Sequence, residues 1–318
     1  MADSKVIAVV GSTGAQGGGL VRAIAADPGS GFTARAITRD PSSDAAKALA
    51  ELPNVDVVSA DLEEPASVEA AFAGAYGAFC VTFFWVDFSP ETEMRHAQTM
   101  ATAAKAAGIE HVVWSTLEDT RRFVPLDDDR MPTLQGKYKV PHFDGKEDAD
   151  ALFRDAGVPT TFLRTAFYWE NLIYFGLGPQ RGEDGALAIT YPLGDSRLPG
   201  IGAADIGKIA LGVFKRGPEL IGKTIAVSGE NLTGAQMAEK LGKALGEEVR
   251  YNDVDPDVYR GFGFPAADEL GNMFQFKRDF DAEYAGARDR DFALSLDPEL
   301  QDFDAWLAVH APQIPLGA

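Results

Sequence analysis

A glycine-rich loop near the start of the chain has the residue types and spacing of a phosphate-binding turn. Gly11, Gly14 and Gly17 follow a short apolar stretch and precede a helical pattern over 16–26. The first glycine permits a tight turn, the second lets backbone N–H groups approach an anion, and the third allows close helix–strand packing. The helix N-terminus adds unpaired donors and partial positive charge. The loop therefore predicts binding of a dinucleotide pyrophosphate; the alternative is a glycine-rich turn in another α/β fold.

The end of the second predicted strand distinguishes NAD from NADP. An acidic side chain there accepts from the ribose 2′-OH, whereas a basic one accommodates a 2′-phosphate. Thr38 stands at the strand end and Arg39 follows it, which favours NADP(H) over NAD(H), although Asp40 keeps NAD(H) as an alternative. Arg35 is expected on the other sheet face or in the pocket. Asp61, after the third predicted strand, is a candidate contact of the adenine amino group or simply a cap.

These residues require a scaffold of alternating strands and helices. Predicted strands span 5–10, 33–38, 55–58, 78–82, 111–115 and 160–164. Predicted helices span 16–26, 91–107 and 142–156. Strands that alternate with helices through short connections are typical of an α/β fold with a doubly wound parallel sheet.

The chain is predicted to have two parts. A dinucleotide-binding domain is expected over 1–165, completed by later segments, and a smaller substrate or lid domain mainly over 166–318. In the second part, Thr233 and Gln236 form a capping-box pattern at the start of a helix, and mixed aromatic and acidic residues then indicate a smaller α+β region. The charged, proline-containing stretch 116–136 reads as a long loop after the fifth strand.

Composition limits the partners of this 318-residue chain. Its formal net charge of −19 repels nucleic-acid phosphates, so no direct nucleic-acid binding is expected. The four histidines and the single cysteine lack metal-ligand spacing, so no metal site is expected. No apolar run is long enough for a membrane span. Cys80 lies in an apolar stretch and is expected to be buried, which fits a reducing, cytoplasmic location.

Seven stretches spread over most of the chain carry a family resemblance. They are 11–18, 38–41, 74–79, 142–146, 167–171, 263–265 and 269–274. Together they resemble the NmrA-like family of atypical short-chain dehydrogenases/reductases. The resemblance implies a Rossmann domain completed by later segments, NADP(H) binding, and a small C-terminal domain that closes over the nicotinamide end. One departure lies after Trp85, where Val86 and Asp87 stand in a place where a glutamate is usual.

The same resemblance implies candidate catalytic residues. The wider superfamily uses a serine and then a tyrosine and a lysine four apart on one helical face; the lysine lowers the tyrosine pKa and holds the ribose, and the tyrosine transfers the proton. Here the serine position is Ser115 or Thr116, and the helix pair is His142 and Lys146, with histidine in place of tyrosine. Tyr138 lies one turn earlier, without a lysine four residues on. Ser115, His142 and Lys146 are the predicted catalytic residues, because imidazole titrates near neutral pH.

Residues that follow the strands at the carboxyl edge of the sheet complete the predicted cofactor site. The predicted cofactor-binding residues are Gly11, Thr13, Gly14, Ala15, Gln16, Gly17, Thr38, Arg39, Asp61, Leu62, Thr82, Phe83, Lys146, Phe167 and Tyr168. Aromatic residues follow the fourth and sixth strands and recur as Phe262, Phe264, Phe274 and Phe276. They predict a pocket for a small apolar or aromatic substrate, or else ordinary core packing.

Two functions follow from these observations. In the first, the chain is an NADPH-dependent reductase of a small apolar carbonyl, quinone or enone, with His142 or Lys146 as the proton donor. In the second, Lys146 only holds the ribose, His142 packs, and the chain is a non-catalytic NADP(H) redox sensor. A sensor would act through a regulatory protein partner or as a homodimer.

Overall fold

The computed structural model describes residues 4–317, so the first three residues of the predicted N-terminal domain and the last residue of the C-terminal one lie outside the described residues. The strands are β1 (Lys5–Val9), β2 (Phe32–Thr38), β3 (Val55–Ser59), β4 (Gly77–Cys80), β5 (His111–Thr116), β6 (Thr160–Arg164), β7 (Phe167–Tyr168), β8 (Gln180–Arg181), β9 (Leu187–Tyr191), β10 (Arg197–Ile201), β11 (Thr224–Ala226), β12 (Glu230–Thr233) and β13 (Val249–Asp253). The helices are α1 (Ala15–Ala26), α2 (Asp44–Ala50), α3 (Pro65–Phe72), α4 (Pro90–Ala106), α5 (Pro141–Asp155), α6 (Asn171–Tyr174), α7 (Ala203–Arg216), α8 (Gly234–Leu245), α9 (Pro256–Arg260), α10 (Ala267–Asp279), α11 (Asp281–Tyr284), α12 (Arg290–Leu296) and α13 (Phe303–His310).

The main sheet has seven parallel strands in the order β11-β6-β5-β4-β1-β2-β3. The chain leaves β1 toward β2 on one side and returns to β4 on the other, so the strand order reverses between β1 and β4. Ligands of open parallel sheets bind at such a switch point, outside the carboxyl ends of the strands. The predicted doubly wound Rossmann-type sheet is confirmed.

Two apolar layers cover the two faces of this sheet. Side chains of α1 and α7 pack on one face with Ile7, Val9 and Leu163. Helices α3, α4 and α5 cover the other face. Because both faces are buried, the central strands β1 and β4 carry nearly continuous apolar residues rather than a clean alternation. Cys80 is fully buried among them, as predicted.

The seventh strand, β11, was not among the predicted strands. It comprises only Thr224–Ala226 and pairs in parallel with β6 through 162–164. Three residues are too few to show a strand periodicity, and their conformation depends on the β6 edge that they meet. The sheet layer therefore takes in a segment that lies sixty residues beyond β6 in sequence.

The C-terminal part adds a smaller α+β region. Its two three-stranded sheets have the orders β12-β10-β7 and β13-β9-β8, and α8, α9, α10, α11 and α13 pack with them around an aromatic-rich core, whereas α12 packs with the α1 and α7 layer of the main sheet. The predicted capping box at α8 is present: Thr233 Oγ1 accepts from the Gln236 N–H at 3.2 Å, and Gln236 Oε1 accepts from the Thr233 N–H at 2.9 Å. Within residues 4–317, none of the helices combines the length and the apolar character needed to cross a membrane.

Candidate functional site

The phosphate loop joins β1 to α1 at the switch point of the sheet. Gly11 has φ +65°, a left-handed conformation that favours glycine. A Cβ on Gly17 would lie 2.5 Å from the Gly11 carbonyl oxygen, so only glycine allows α1 to begin this close to β1. Ser12 is buried and its Oγ donates to the Ile37 carbonyl at 2.8 Å, which ties the loop to β2. The loop therefore presents Thr13, Gly14 and Ala15 to solvent.

The N-terminus of α1 suits an anion. Its N-cap is Gly14, and its first turn contains no acidic residue, so the helix dipole is not neutralised from within. Gln16 Nε2 donates to the Tyr168 hydroxyl at 2.6 Å, while Gln16 Oε1 is buried without a partner among the described residues. An exposed glycine turn and free backbone donors fit the pyrophosphate end of a dinucleotide.

The end of β2 presents one basic side chain to solvent. Arg39 is exposed, and no hydrogen bond of its guanidinium is found within residues 4–317. Asp40 instead accepts from both the N–H and the hydroxyl of Ser42, so its carboxylate is engaged in a local turn. Arg35 donates to the carbonyls of Ala71 and Ala73 at the end of α3 and does not reach the loop. Thr38 Oγ1 accepts from the Asp40 N–H at 3.3 Å, so Arg39 is the residue of this strand end with an exposed cationic side chain.

Asp61 and Leu62 follow β3 and are half-buried at the same sheet edge. Asp61 Oδ1 accepts from the Glu63 N–H at 3.0 Å, the cap role that the sequence left open for this aspartate. Its second carboxylate oxygen and the Leu62 side chain remain the candidate contacts of an adenine ring.

Lys146 lies one helical turn after the start of α5 and points to the end of β4. Its Nζ donates to Thr82 Oγ1 at 2.7 Å, to the Thr82 carbonyl at 3.3 Å and to Glu93 Oε1 at 2.9 Å. Glu93 is 2% exposed, and its Oε2 has no partner in the described part of the chain. Sequence reasoning missed Glu93, which comes from α4 and carries no motif.

His142 is the other half of the predicted pair and lies in the first turn of α5. Glu269 Oε1 accepts from the His142 backbone N–H at 2.7 Å and from its Nδ1 at 2.6 Å. The imidazole packs against Trp85, with ring centroids 4.9 Å apart, and against Phe84 at 5.8 Å. A carboxylate on Nδ1 fixes the tautomer and orients Nε2, the arrangement of a histidine that transfers protons. Glu269 was missed as a site residue, although it opens one of the motifs that carried the resemblance.

Ser115 and Thr116 end β5, and their side chains point to opposite faces of the sheet. Thr116 Oγ1 donates to the Lys146 carbonyl at 3.3 Å, so Thr116 is on the α5 side. Ser115 is buried on the other side. Tyr138 precedes α5 and is not on it, because Pro141 occupies the first helical turn; the tyrosine ring is buried beside Leu134.

Aromatic side chains surround the carboxyl edge beside this pair. Phe83 is 61% exposed, whereas Phe84 and Phe167 are buried. Tyr168 lies at the start of α1 through its bond to Gln16, and burial raises the pKa of its phenol to about 12, so it remains protonated at neutral pH. Phe274 and Phe276 belong to the C-terminal core, the packing role that the sequence left open for them.

A groove of about 230 Å³ opens next to His142 and Glu269. It is lined by Phe88, Leu134, Gln135, Pro141, Ala266, Asp268 and Glu269. Phe88, Gln135 and Ala266 have φ of +56°, +50° and +65°, a strained conformation for residues with a Cβ. Strained backbone gathers at functional sites when the surrounding structure maintains it. Because three such residues surround one groove, we interpret the groove as a shape that the surrounding structure maintains.

Known proteins agree with this architecture over nearly the whole chain. The NmrA-like oxidoreductase FrzB of Cladobotryum sp. is 29% identical over 302 residues, which cover 88% of this chain and 85% of FrzB. The solved structure of NmrA, a negative transcriptional regulator, in complex with NAD has a TM-score of 0.78 and 26% identity, and covers 98% of this chain and 96% of NmrA. The NmrA complex with NADP has a TM-score of 0.77 and 25% identity, with the same coverage.

The model of the NmrA-like family matches residues 3–307, so both the Rossmann sheet and most of the smaller C-terminal region lie within it. The resemblance seen in the sequence motifs is confirmed, and the chain belongs to the NmrA-like family.

Proposed function

We propose that the chain is an NADPH-dependent reductase of a small, planar carbonyl compound, quinone or enone. The observation that carries the proposal is the His142–Glu269 pair, one helical turn from Lys146 and against the aromatic wall of Phe84 and Trp85. Glu269 engages Nδ1, which leaves Nε2 as the ring nitrogen that can exchange a proton with a substrate. Relatives such as FrzB are described as oxidoreductases, which supports the same reading.

NADP(H) is proposed as the cofactor because Arg39 offers a free guanidinium at the end of β2 while Asp40 is engaged with Ser42. The phosphate loop and the first turn of α1 would hold the pyrophosphate, and Lys146 the nicotinamide ribose. When bound, NADPH supplies hydride.

The proton would come from His142. Glu269 holds Nδ1, so Nε2 is the atom that can give a proton to the substrate oxygen. The groove at Phe88 and Ala266 reaches this pair from outside and is the proposed approach for the substrate. Trp85, which is half-buried and packs on the buried Phe84, offers a flat apolar surface, which suits an aromatic or conjugated compound better than a charged sugar.

A second function, a non-catalytic NADP(H) sensor, is favoured by one observation. The related NmrA is described as a negative transcriptional regulator, and its complexes with NAD and NADP show that a cofactor-binding relative of 25–26% identity has a regulatory role. In this alternative the chain changes its partner affinity or its oligomeric state with the cofactor.

One experiment separates the two functions. NADPH and NADH are titrated side by side by fluorescence, and the protein is then screened for NADPH oxidation with quinones and enones. Turnover with any of them supports the reductase. If no compound is reduced while NADPH shifts the oligomeric state, the sensor is correct and the reductase is wrong.

A further inference from the structure

Lys277, on α10, is a buried lysine enclosed by aromatic rings. It is 2% exposed. Its Nζ lies 5.4–5.9 Å from the ring centroids of Phe143, Phe167, Phe274 and Tyr284. No carboxylate and no hydrogen-bond acceptor contacts this Nζ anywhere in residues 4–317. Buried lysines are ordinarily paired, so an amine without an acceptor in an aromatic cage requires an explanation.

The cage lies over the carboxyl ends of β5 and β6. Arg288 marks this place: its guanidinium donates to Glu118, two residues after β5, at 2.8 Å and to the carbonyl of Thr165, directly after β6, at 2.6 Å. One cage ring also contacts the proposed active site, because the ring centroid of Phe143 lies 4.8 Å from that of His142. The free amine is therefore on the side of the sheet where ligands bind.

The amine of Lys277 lacks a compensating negative charge among the described groups that face it. Burial, and secondarily the neighbouring Arg288, lower the pKa of Lys277 to about 7, whereas Glu118 acts in the opposite direction. Glu118 is already occupied by Arg288, and burial holds the pKa of the Tyr284 phenol well above its usual range, so that ring stays neutral. None of the ionisable groups facing Nζ therefore supplies a free negative charge to it.

We propose that Lys277 recognises the acidic oxygen of a planar aromatic ligand, such as an aromatic carboxylate or phenolate, bound at the carboxyl ends of β5 and β6. The four cage rings are 0–4% exposed and enclose the amine, which supplies the N–H donor that an anionic oxygen requires. The inference deepens the proposed function by naming the substrate class, and it uses that function only to identify the pocket. An uncharged analogue lacks the oxygen anion that the amine requires.

The proposal predicts proton uptake upon binding. At pH 8 the amine of the free protein is mostly neutral, and an anionic oxygen beside it favours the ammonium form, so binding should take up between half and one proton. The probe is trans-cinnamate, with the uncharged trans-cinnamamide as the matched ligand. Calorimetric titration of the NADP⁺-loaded full chain in two buffers of different ionisation enthalpy measures the uptake directly.

Three variants make the test specific. Lys277→Met should lose at least tenfold in cinnamate affinity and all proton uptake, while cinnamamide affinity changes little. Lys277→Arg should bind cinnamate without proton uptake, because its guanidinium is already charged. The exposed Lys223→Met serves as the control and should behave as wild type.

Equal cinnamate affinity and equal uptake in wild type and Lys277→Met would overturn the proposal, as would the absence of cinnamate binding to wild type. The result does not depend on turnover. Cinnamate binding with proton uptake in a protein that reduces no quinone or enone would leave the Lys277 site in place and remove only the reductase.

Discussion

Glu269 binds His142 twice through one oxygen, at the backbone N–H and at Nδ1, across 127 residues of sequence. The carboxylate comes from α10 of the C-terminal region, and the histidine from α5 of the sheet layer. The pair therefore joins the two parts of the chain at the point where a proton would be transferred.

Removing the imidazole should separate chemistry from cofactor binding. We expect His142→Phe to reduce turnover about 10²–10⁴-fold, the usual contribution of a general acid, while NADPH affinity stays nearly intact. Glu269→Gln should reduce turnover less, because the amide still accepts at one atom. Steady-state kinetics with the best quinone, together with NADPH fluorescence, measure both effects. Unchanged turnover in His142→Phe would assign the proton to another group.

Lys146 should matter for binding and for turnover. Lys146→Met is expected to weaken NADPH binding, since a charged hydrogen bond contributes about 1.5–3 kcal/mol, and to abolish turnover.

Glu93→Gln should lower the melting temperature of the cofactor-free protein, because it removes the buried partner of the Lys146 ammonium. NADPH binding should raise the melting temperature of Glu93→Gln more than that of wild type. The control is the exposed Glu110→Gln, and an equal NADPH shift in all three proteins would count against this role of Lys146.

Arg39 should determine the cofactor preference. Replacing Arg39 by Ala should weaken NADPH roughly ten- to hundredfold, at about 1.5–3 kcal/mol for a charge-assisted phosphate contact, and should leave NADH almost unchanged. Arg35→Ala is the matched control from the same strand, since its guanidinium bonds to the end of α3. Equal losses for both cofactors in Arg39→Ala would remove the case for NADP.

The two glycines of the loop should respond differently. A Cβ on Gly14 meets only the Gly11 carbonyl oxygen, at 3.2 Å, and the φ of Gly14 is −89°, so Gly14→Val should fold yet lose NADPH binding. A Cβ on Gly17 would lie 2.5 Å from that same oxygen, so even Gly17→Ala should lower the melting temperature. Circular dichroism and NADPH fluorescence measure the two effects. Wild-type NADPH affinity in Gly14→Val would show that the loop does not hold the pyrophosphate.

Lys277 should leave a signature in the pH dependence of stability. Its folded pKa of about 7 is below that of an unfolded lysine, about 10.4, so the unfolded chain binds the extra proton between those values. The contribution of Lys277 to the free energy of unfolding therefore rises with pH, by about 1.4 kcal/mol per pH unit from pH 7.5 to pH 9.5. Urea unfolding of wild type and Lys277→Met should give curves that diverge with this slope. Parallel curves would mean that Lys277 titrates normally.

Local signals explain why much of the sheet could be predicted from sequence. The phosphate loop, the β6 strand and the α8 capping box each depend on residues a few positions apart, and all three are present in the structure. Pairings between distant residues gave no such signal. Glu93 reaches Lys146 across 53 residues and Glu269 reaches His142 across 127. An acidic residue on a helix is ordinarily solvent-exposed, and only the packing of α4 and α10 buries these two.

The cage residue Lys277 was missed for a related reason. In the sequence of α10 it stands next to Arg278 in the last helical turn, where basic residues commonly interact with the helix dipole at the surface. Whether such a side chain faces water or a core depends on the elements that pack over it. Here α5, β7 and α11 supply the rings that enclose it.

The buried guanidinium of Arg288 has a consequence for how the molecule unfolds. It is held by Glu118 after β5 and by the carbonyl of Thr165 after β6, so one side chain of the C-terminal region fastens two adjacent strands of the sheet. Detaching that region would leave Glu118 as an uncompensated charge at the sheet edge. The sheet layer and the C-terminal region should therefore melt in one cooperative transition, and a chain that ends before residue 288 should lose the order of both strand ends.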